Sequence, residues 1–354
     1  MVNRSDMFFE SACRYSINVQ QLTFATTSLR TLPRNFQEKD RHLFQQFLQY
    51  DGEASHLLEL ENVTAYSDGW LYKDYTLLKE SFTHVRYPSP YRRLKALAKR
   101  AIHRPNAMKI EGGVWITDNW SRNYYHWLTD AIPKLYLATR GRPDLEILLP
   151  AMYDTISYAK ESLQPVGLGA VRIIGRGQGA LIRKLLLPTR VADTGNYNED
   201  VIREVGDLYR RYYGISQPKG RRIYVSRSKA PVRNVLNETE IKPILSRFGF
   251  EIVHCENLSF SEQVKLFSDS AIVAGPHGAG FVNTMFMPEG SKVLEIHPAD
   301  TKINNCYFTM ASAFHHSYFY MLANTASSTL PSHLDNMIVD PAKLQEQLEA
   351  VCRD

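Results

Sequence analysis

The sequence predicts an α/β protein whose second half is built on a parallel sheet. Short apolar segments at residues 222–226, 250–254 and 271–274 have strand length, and helical segments separate them. A fourth strand is predicted at 293–296. The resulting β-α-β-α-β order is the one that parallel strands with right-handed crossovers require.

Two helix starts support this order. Asn237 and Ser259 are each followed three residues later by a glutamate. This is the pattern of a capping box, in which side chain and backbone exchange hydrogen bonds at the first turn. We expect the two helices to end near residues 248 and 268. A last helix is predicted at 341–351.

Length and composition favour a globular protein of two domains. The chain has 354 residues, which is long for a single core, and 44% of them are hydrophobic while 22% are charged. A net charge of +5 suits anionic ligands or an acidic membrane surface but is too weak to indicate nucleic-acid binding. We place the domain boundary at residue 200, which gives domains 1–200 and 201–354.

The cysteines and the N-terminus point to a reduced, intracellular setting. Four cysteines occur without a CxxC pair, so neither a zinc site nor a disulfide framework is predicted. The first residues lack the apolar core of a signal peptide, and no apolar run has the length of a membrane span. We therefore expect a cytoplasmic protein.

The first domain becomes informative only after residue 110. Before it we predict a β-containing layer and a basic helix at 91–101, with no visible function. Strand–helix alternation then follows: strands at 114–117, 145–149, 171–174 and 185–187, and helices from Tyr124 and at 153–163. Pro133 should kink or end the first of these helices.

His126 and Asp130 lie on one face of that helix because they are four residues apart. Such a pair suits a general base and the group that orients it. The alternative is structural: a satisfied core histidine, with Asp130 paired to Lys134, which is also four residues away.

A glycine loop follows the third strand of the second domain and reads Gly275-Pro276-His277-Gly278-Ala279-Gly280. A loop between a parallel strand and a helix presents free amides to a phosphate. Gly278 and Gly280 would let the backbone approach the ligand, and His277 could donate to a phosphate oxygen. The alternative is a tight turn without a ligand.

A basic loop follows strand 222–226 and carries Arg227, Lys229 and Arg233. Guanidinium groups at a strand end suit the clamping of a phosphate, although a solvated basic loop is the alternative. The chain has no Asp-x-Asp sequence, so a transferase that holds a divalent cation through such a motif is disfavoured. Arginine, histidine and a helix N-terminus would then meet the leaving-group charge.

A second glycine-rich loop, Gly175-Arg176-Gly177-Gln178-Gly179, also follows a predicted strand. It lacks the spacing to a third glycine and an acidic ribose partner, so it matches a dinucleotide site only superficially.

Three segments together resemble glycosyltransferase family 61, over residues of about 110 to 300. The family includes plant xylosyltransferases, animal N-acetylglucosaminyltransferases and bacterial proteins linked to capsular polysaccharide. The residues that carry the resemblance are Asn123-Tyr124-Tyr125-His126-Trp127-Leu128-Thr129-Asp130 with Pro133, Tyr224-Val225-Ser226-Arg227 through Arg233 with Asn237-Glu238-Thr239-Glu240, and the 275–280 loop with Asn283 and Glu295-Ile296-His297-Pro298.

The resemblance implies a GT-B architecture, with two facing Rossmann-like domains on parallel sheets. It also implies inversion at the anomeric carbon by a single displacement, often without a metal. The first domain would approach the acceptor, with Asp130 as catalytic base and His126 as its neighbour. The second would bind the nucleotide sugar through Arg227, Arg233, His277, Gly278, Ala279, Gly280, Asn283 and Glu295.

We therefore expect a metal-independent hexosyl- or pentosyltransferase that uses a nucleoside-diphosphate sugar, in particular a UDP-sugar. Its acceptor would be a surface or capsular glycan at the inner face of a bacterial membrane, with peripheral membrane contact and no nucleic-acid partner. Two alternatives stay open. One is a non-catalytic glycan- or nucleotide-binding protein with the same fold, and the other is an oxidoreductase that uses the Gly175 loop.

Overall fold

The computed structural model describes residues 9–83, 107–142, 144–166, 169–213, 220–327, 330–331 and 334–353, together with Tyr91, Leu94 and Ala98. Most of the basic helix predicted at 91–101 lies outside the described residues. The strands in chain order are β1 (Phe9–Glu10), β2 (Asn18–Gln21), β3 (Thr26–Leu29), β4 (Gln49–Gly52), β5 (His56–Tyr66), β6 (Leu71–Lys73), β7 (Thr76–Leu78), β8 (Met108–Val114), β9 (Ile147–Pro150), β10 (Val171–Ile174), β11 (Gly179–Pro188), β12 (Arg221–Val225), β13 (Phe250–Val253), β14 (Ser270–Pro276), β15 (Lys292–Pro298), β16 (Ser317–Thr325) and β17 (Met337–Ile338).

The α-helices follow the same order. They are α1 (Arg41–Phe44), α2 (Tyr124–His126), α3 (Ile132–Thr139), α4 (Ser157–Leu163), α5 (Glu199–Tyr212), α6 (Glu238–Arg247), α7 (Phe260–Ser268), α8 (Cys306–Ala313) and α9 (Pro341–Arg353). A π-helical turn, Trp127–Ala131, joins α2 to α3, and a 3₁₀ helix, Ala279–Phe286, follows β14. Along the part of the chain that is described, no helix is both long and apolar enough to cross a bilayer.

Contacts divide the chain into two units. The first comprises Met1–Thr26 and Glu53–Thr194, and the second comprises Thr27–Gly52 and Gly195–Asp354. The second unit thus resumes close to the predicted boundary at residue 200, but it also takes in a segment near the N-terminus that the sequence does not associate with it. The assignment of 1–200 and 201–354 to acceptor and nucleotide-sugar domains stays a prediction.

The first unit contains a mixed nine-stranded sheet, in the order β1-β7-β6-β5-β11-β8-β9-β10 with β2 against β5. Strands β8 to β11 pair in parallel where they are neighbours, whereas β5 is antiparallel to β2, β6 and β11. In this half the prediction of a parallel sheet therefore holds for β8 to β11 and is wrong for the strands around β5. The reason is local: short turns at Gly69 (φ +93°) and Asp74 (φ +52°) connect β5, β6 and β7, and only antiparallel neighbours can be joined in this way.

The second unit contains the predicted parallel sheet. Its order is β13-β12-β14-β15-β16-β17, and every pairing is parallel except that of β17 with β16. Buried side chains such as Tyr224, Leu294 and Phe319 fill the face that α6 and α9 cover. The carboxyl ends of β12, β14 and β15 consequently meet at one edge, where ligands of such sheets bind.

The two predicted capping boxes differ in outcome. Ser259 caps α7 as predicted, since its hydroxyl accepts from the amide of Glu262 while the Glu262 carboxylate accepts from the amide of Ser259. Asn237 forms no such cap on α6. Its side chain instead accepts from the amide of Val339 and donates to the Val339 carbonyl. A tertiary contact has thus taken the place of the local one.

The segment Thr27–Gly52 closes the open edge of β16 in the second unit. Its Asn35 side chain donates to the carbonyl of Tyr320 at 2.7 Å and accepts from the Tyr320 amide at 3.1 Å. The amide of Arg34 donates to the carbonyl of Tyr318, and Asp40 accepts from the hydroxyl of Tyr320. These bonds satisfy strand groups that would otherwise lie unpaired.

Candidate active site

The glycine loop lies at the end of β14, as predicted, and two of its glycines are required by close contacts. Gly275 has φ +148°, and a Cβ there would lie 2.6 Å from the carbonyl oxygen of Val225. A Cβ on Gly278 would lie 2.0 Å from a terminal nitrogen of Arg227. Glycine at 278 therefore makes room for the Arg227 guanidinium as much as for a ligand.

The loop continues into the 3₁₀ helix Ala279–Phe286, whose first helical hydrogen bond runs from the Phe281 amide to the Gly278 carbonyl. Amides that precede the first such bond have no partner inside a helix. Gly278, Ala279 and Gly280 thus supply the kind of amides to which anions bind at helix starts.

The basic loop after β12 brings two cations to the same sheet edge. Arg227 donates to the carbonyl of Val232, and burial together with the nearby Arg233 guanidinium lowers the pKa of Arg227. The Nε atoms of both arginines are buried and have no hydrogen-bond partner within the described residues. Arg233 also has φ +60°, a conformation that is uncommon for a residue other than glycine. Two repelling, incompletely bonded guanidiniums constitute a site suited to an anion.

His277 is held by a buried carboxylate. Its Nδ1 lies 2.5 Å from Oε1 of Glu295, a residue of β15 with no exposed surface. The other oxygen of Glu295 accepts from the Tyr318 hydroxyl at 2.7 Å and lies 3.2 Å from Nε2 of His297. Burial alone would raise the pKa of Glu295, but His297 and His277 hold it well below its usual range. Glu295 is therefore an ionised acceptor, and Nδ1 of His277 carries a proton.

Two of the predicted ligand-binding residues are fully buried and do not lie on the surface of the glycine loop. Glu295 is fully buried and reaches a ligand only through His277. Asn283 is also fully buried, and its amide donates to Oε1 of Gln263 at 2.7 Å. Arg227, Arg233, Ala279 and Gly280 retain exposed surface, and His277 keeps 8% of its own.

The side chains of His277, Glu295 and His297 lie close enough together to be considered as metal ligands. Nδ1 of His277 and Oε1 of Glu295 are in direct hydrogen-bond contact, however, whereas a metal between them would separate the two atoms further. The other carboxylate oxygen is occupied by Tyr318, and Arg233 adds a positive charge nearby. This donor set therefore fits a hydrogen-bonded network better than a metal site.

In the first unit, His126 and Asp130 are in contact as predicted. Nδ1 of His126 lies 2.8 Å from Oδ2 of Asp130, and Oδ1 of Asp130 accepts from the Thr129 hydroxyl at 3.3 Å. Because a carboxylate only accepts hydrogen bonds, Nδ1 carries the proton and Nε2 of His126 holds the lone pair. The Trp120 ring packs edge-on against the imidazole. This geometry favours His126 as a base and Asp130 as the group that orients it, the reverse of the roles expected from the sequence.

The structural alternative for this pair is wrong in one respect, because Lys134 does not bond Asp130. Its ammonium lies 3.7 Å from Oδ2 of Asp118, and both side chains are buried. Asp118 also accepts from the amides of Trp120 and Ser121. Burial would raise the pKa of Asp118, but Lys134 and these hydrogen bonds lower it overall. Asp118 and Lys134 thereby fix the loop that precedes the His126 helix.

The helix passes through Pro133 by means of the π turn Trp127–Ala131. Proline has no amide proton, so the α-helical pattern cannot continue unchanged in the turn before it. An inserted π turn accommodates this defect, and such turns are frequent at functional sites. The kink predicted at Pro133 therefore takes the form of a widened turn that contains Asp130.

The Gly175 loop does not have the structure of a dinucleotide site. It leads from β10 into strand β11 rather than into a helix, and the Gln178 side chain folds back on the Gly175 amide. Without a helix N-terminus there is no dipole to meet a pyrophosphate. This finding removes the sequence support for the oxidoreductase alternative.

Several residues of these networks are not indicated by local sequence patterns. Tyr318 and Tyr307 belong to β16 and α8, and both rings approach the His277 network. Asp118 follows a strand, which is the one signal that could have singled it out. The tyrosines become site residues only through contacts between distant segments.

Comparison with known proteins supports the family resemblance. Residues 124–294 match the sequence model of the family described as Glycosyltransferase 61. The match covers slightly less than half of the chain, and it includes the His126, Arg227 and His277 segments.

Curated relatives match over shorter stretches. The "EGF domain-specific O-linked N-acetylglucosamine transferase" of Drosophila melanogaster is 31% identical over 102 residues, which are 28% of this chain and 19% of that protein. The "Protein O-linked-mannose beta-1,4-N-acetylglucosaminyltransferase 2" of Homo sapiens and that of Pan troglodytes are each 32% identical over 85 residues, 23% of this chain and 14% of theirs. The matched stretch thus spans less than a fifth of these relatives. Together with the family match, they support a glycosyltransferase.

Proposed function

We propose that this chain is an inverting glycosyltransferase that transfers a sugar from a UDP-sugar to a glycan acceptor. The observation that carries the proposal is the pair of arginines beside the glycine loop. Arg227 and Arg233 repel one another, the buried Nε of each has no hydrogen-bond partner among the residues that the structure describes, and the loop amides lie at the same sheet edge. A diphosphate supplies the negative charge and the acceptor oxygens that such a group requires.

The first unit supplies the proposed base. Nε2 of His126 would take the proton of the acceptor hydroxyl while that oxygen bonds to the anomeric carbon and the bond to the diphosphate breaks. Asp130 would keep the ring in the required tautomer and offset the charge of the imidazolium that forms.

The leaving diphosphate would be stabilised without a metal. Arginine, histidine and helix-start amides can meet its charge, and the Glu295 network fits a hydrogen-bonded role. Activity should therefore persist when a chelator is added. Loss of activity that added Mg²⁺ or Mn²⁺ restores would contradict this part of the proposal.

The GT-B architecture, a role in bacterial surface or capsular polysaccharide synthesis, and a cytoplasmic position at the inner face of the membrane are also part of the proposal. They rest on the family resemblance. Hexosyl or pentosyl specificity would depend on pocket shape, which fold resemblance does not transfer.

A calorimetric titration with UDP tests the nucleotide site. Replacing Arg227 by alanine removes charge-assisted hydrogen bonds worth about 1.5–3 kcal/mol, so UDP affinity should fall roughly tenfold to hundredfold. Parallel titrations with GDP and CMP would identify the preferred base.

The matched control is Arg221→Ala, because Arg221 lies at the opposite end of β12 and pairs with the half-exposed Glu251. This variant should bind UDP like the wild type. Equal UDP affinity of Arg227→Ala and wild type would remove the basic loop from the nucleotide site, and no nucleotide binding at all would overturn the proposal.

A further inference from the structure

We propose that His277 takes up a proton when the diphosphate of the sugar donor binds, so that nucleotide-sugar binding is coupled to protonation of this one imidazole. The inference rests on the proposed function and adds to it the protonation state of the site. Glu295 acts as the positioning residue for His277, and Tyr318 and His297 hold Glu295.

Glu295 determines the tautomer of His277. Glu295 is buried and ionised, and it accepts from Nδ1 of His277. Nε2 of the neutral ring therefore holds a lone pair. It lies on the edge of the ring away from Nδ1, and it has no protein hydrogen bond among the described residues. A phosphate oxygen also presents only lone pairs, so a neutral His277 would repel the ligand that its loop otherwise suits.

Without a bound ligand, the surroundings of His277 oppose its protonation. Burial lowers the pKa of His277, and His297 and Arg233 lower it further, against the opposing effect of Glu295. The Tyr307 ring lies 5.2 Å away on the α8 side, and Arg227 packs against the neighbouring Gly278. The charged and titratable groups near His277 are thus the Glu295 carboxylate, the Arg233 guanidinium and the His297 ring, which stacks on His277 at 5.3 Å, with Arg227 beside the adjacent Gly278. Near neutral pH the empty site holds the neutral ring.

Binding of the diphosphate favours protonation of His277. A diphosphate beside Arg227 and Arg233 offsets the positive charge that opposes protonation, and it supplies an acceptor for a proton on Nε2. The imidazolium then donates Nδ1–H to Glu295 and Nε2–H to a phosphate oxygen. The proton comes from solvent, and both ring nitrogens are satisfied.

Coupling between donor binding and protonation of His277 predicts how the affinity for the sugar donor changes with pH. If the pKa of His277 is higher in the complex than in the free protein, affinity is greatest at low pH, where the ring is already charged. It falls as the pH rises between the two pKa values, by at most about tenfold per pH unit for one proton. Above both values it is low and constant.

The test is calorimetry of the whole protein with UDP-glucose and UDP-N-acetylglucosamine in two buffers that differ in ionisation enthalpy. A UDP-sugar is the right probe because its diphosphate is esterified at both ends and carries no group that titrates near neutral pH, unlike UDP. The buffer dependence of the binding enthalpy gives the number of protons taken up. At a pH between the two pKa values, located by repeating the titrations from acidic to neutral pH, the wild type should take up close to one proton per bound ligand.

Three variants and one control separate an effect of His277 protonation from an effect on the structure of the site. His277→Gln retains a donor but cannot titrate, so it should bind more weakly, with no proton uptake and a flat pH profile. Glu295→Gln should reduce uptake, whereas Tyr318→Phe should retain it because the carboxylate stays charged. His42→Gln, at an exposed histidine of α1, is the control that should leave uptake unchanged.

The outcomes are distinguishable. Binding by the wild type without proton uptake, or uptake that persists in His277→Gln, would overturn this inference and leave the proposed function standing. Absence of binding by any UDP-sugar would overturn both.

Discussion

At the scale of single residues, the His126–Asp130 contact assigns chemical roles that spacing alone leaves open. Four residues along a helix bring two side chains together, but they do not tell which one keeps its lone pair. The 2.8 Å contact from Nδ1 of His126 to Asp130 shows that the carboxylate orients the ring. We therefore propose His126 as the base, and Asp130 as base stays the alternative that variants of the two residues distinguish.

Replacing His126 by alanine should lower the turnover of a UDP-sugar by about 10²–10⁴-fold, the usual contribution of a general base. UDP affinity should be unchanged, because the nucleotide is bound by the second unit in our proposal. Asp130→Asn should cost less, since asparagine can still accept from Nδ1. A loss in Asp130→Asn that exceeds the loss in His126→Ala would assign the base to Asp130.

The buried pair of Asp118 and Lys134 should matter for stability rather than for chemistry. Lys134→Met removes the more buried of the two cations beside Asp118, and breaking such a buried pair costs about 3–5 kcal/mol of unfolding free energy. Denaturant titration would measure the loss. Arg190→Met is the matched control, because Arg190 lies 3.9 Å from the same carboxylate but is more exposed.

The pH dependence follows from the lowered pKa of Asp118. The stabilisation from its ionised form is fully present above the unfolded pKa of about 3.9 and is lost as the pH falls through the lower folded value. The stability difference between wild type and Lys134→Met should therefore narrow below a pH of about 4. A difference that stays constant down to acidic pH would argue against the ion pair.

At the scale of elements, local signals identify what local forces determine. The Ser259 capping box and the end of α7 at Ser268 agree with the sequence, because the bonds involved lie within four residues. Asn237 belongs to the same sequence pattern but does not cap α6. Its side chain forms hydrogen bonds with the backbone of Val339, which lies 102 residues away in the sequence. Sequence patterns cannot show such competition between local and distant partners.

Ser259→Ala should lower the unfolding free energy by about 0.5–2 kcal/mol through loss of the α7 cap. Chemical denaturation would measure this. The change should leave UDP affinity intact, since α7 carries none of the proposed ligand contacts. An unchanged unfolding free energy would show that water replaces the cap without cost.

The Asn35 contact with β16 gives a second prediction for an element. Asn35→Ala removes both bonds to the backbone of Tyr320, so the Tyr320 amide should exchange with solvent faster. Hydrogen exchange followed at that amide tests this. Arg34→Ala should leave protection near wild type, because Arg34 contacts Tyr318 through its own backbone, and equal protection in both variants would contradict the role of Asn35.

At the scale of the whole molecule, the parallel sheet of the second unit and its glycine loop were predictable because each strand is apolar and each connection short. The antiparallel pairing of β11 with β5 in the first unit was not predictable, since these two strands lie far apart in the sequence. The assignment of Thr27–Gly52 to the second unit was also not predictable, because it depends on contacts such as that between Asn35 and Tyr320, which are 285 residues apart in the sequence. The residues that we propose for the site come largely from motifs, whereas Tyr318 and the buried position of Glu295 required the fold.

The most direct test of the central claim is release of UDP from a panel of UDP-sugars in the presence of a panel of glycan acceptors, with the sugar transferred to a glycan hydroxyl or to water, compared for wild type, His126→Ala and Arg227→Ala. We expect the wild type to release UDP from at least one UDP-sugar. We also expect a loss of turnover in His126→Ala and weakened use of the sugar donor in Arg227→Ala. UDP-sugar binding without release by the wild type would contradict a transferase and support a non-catalytic nucleotide-binding protein.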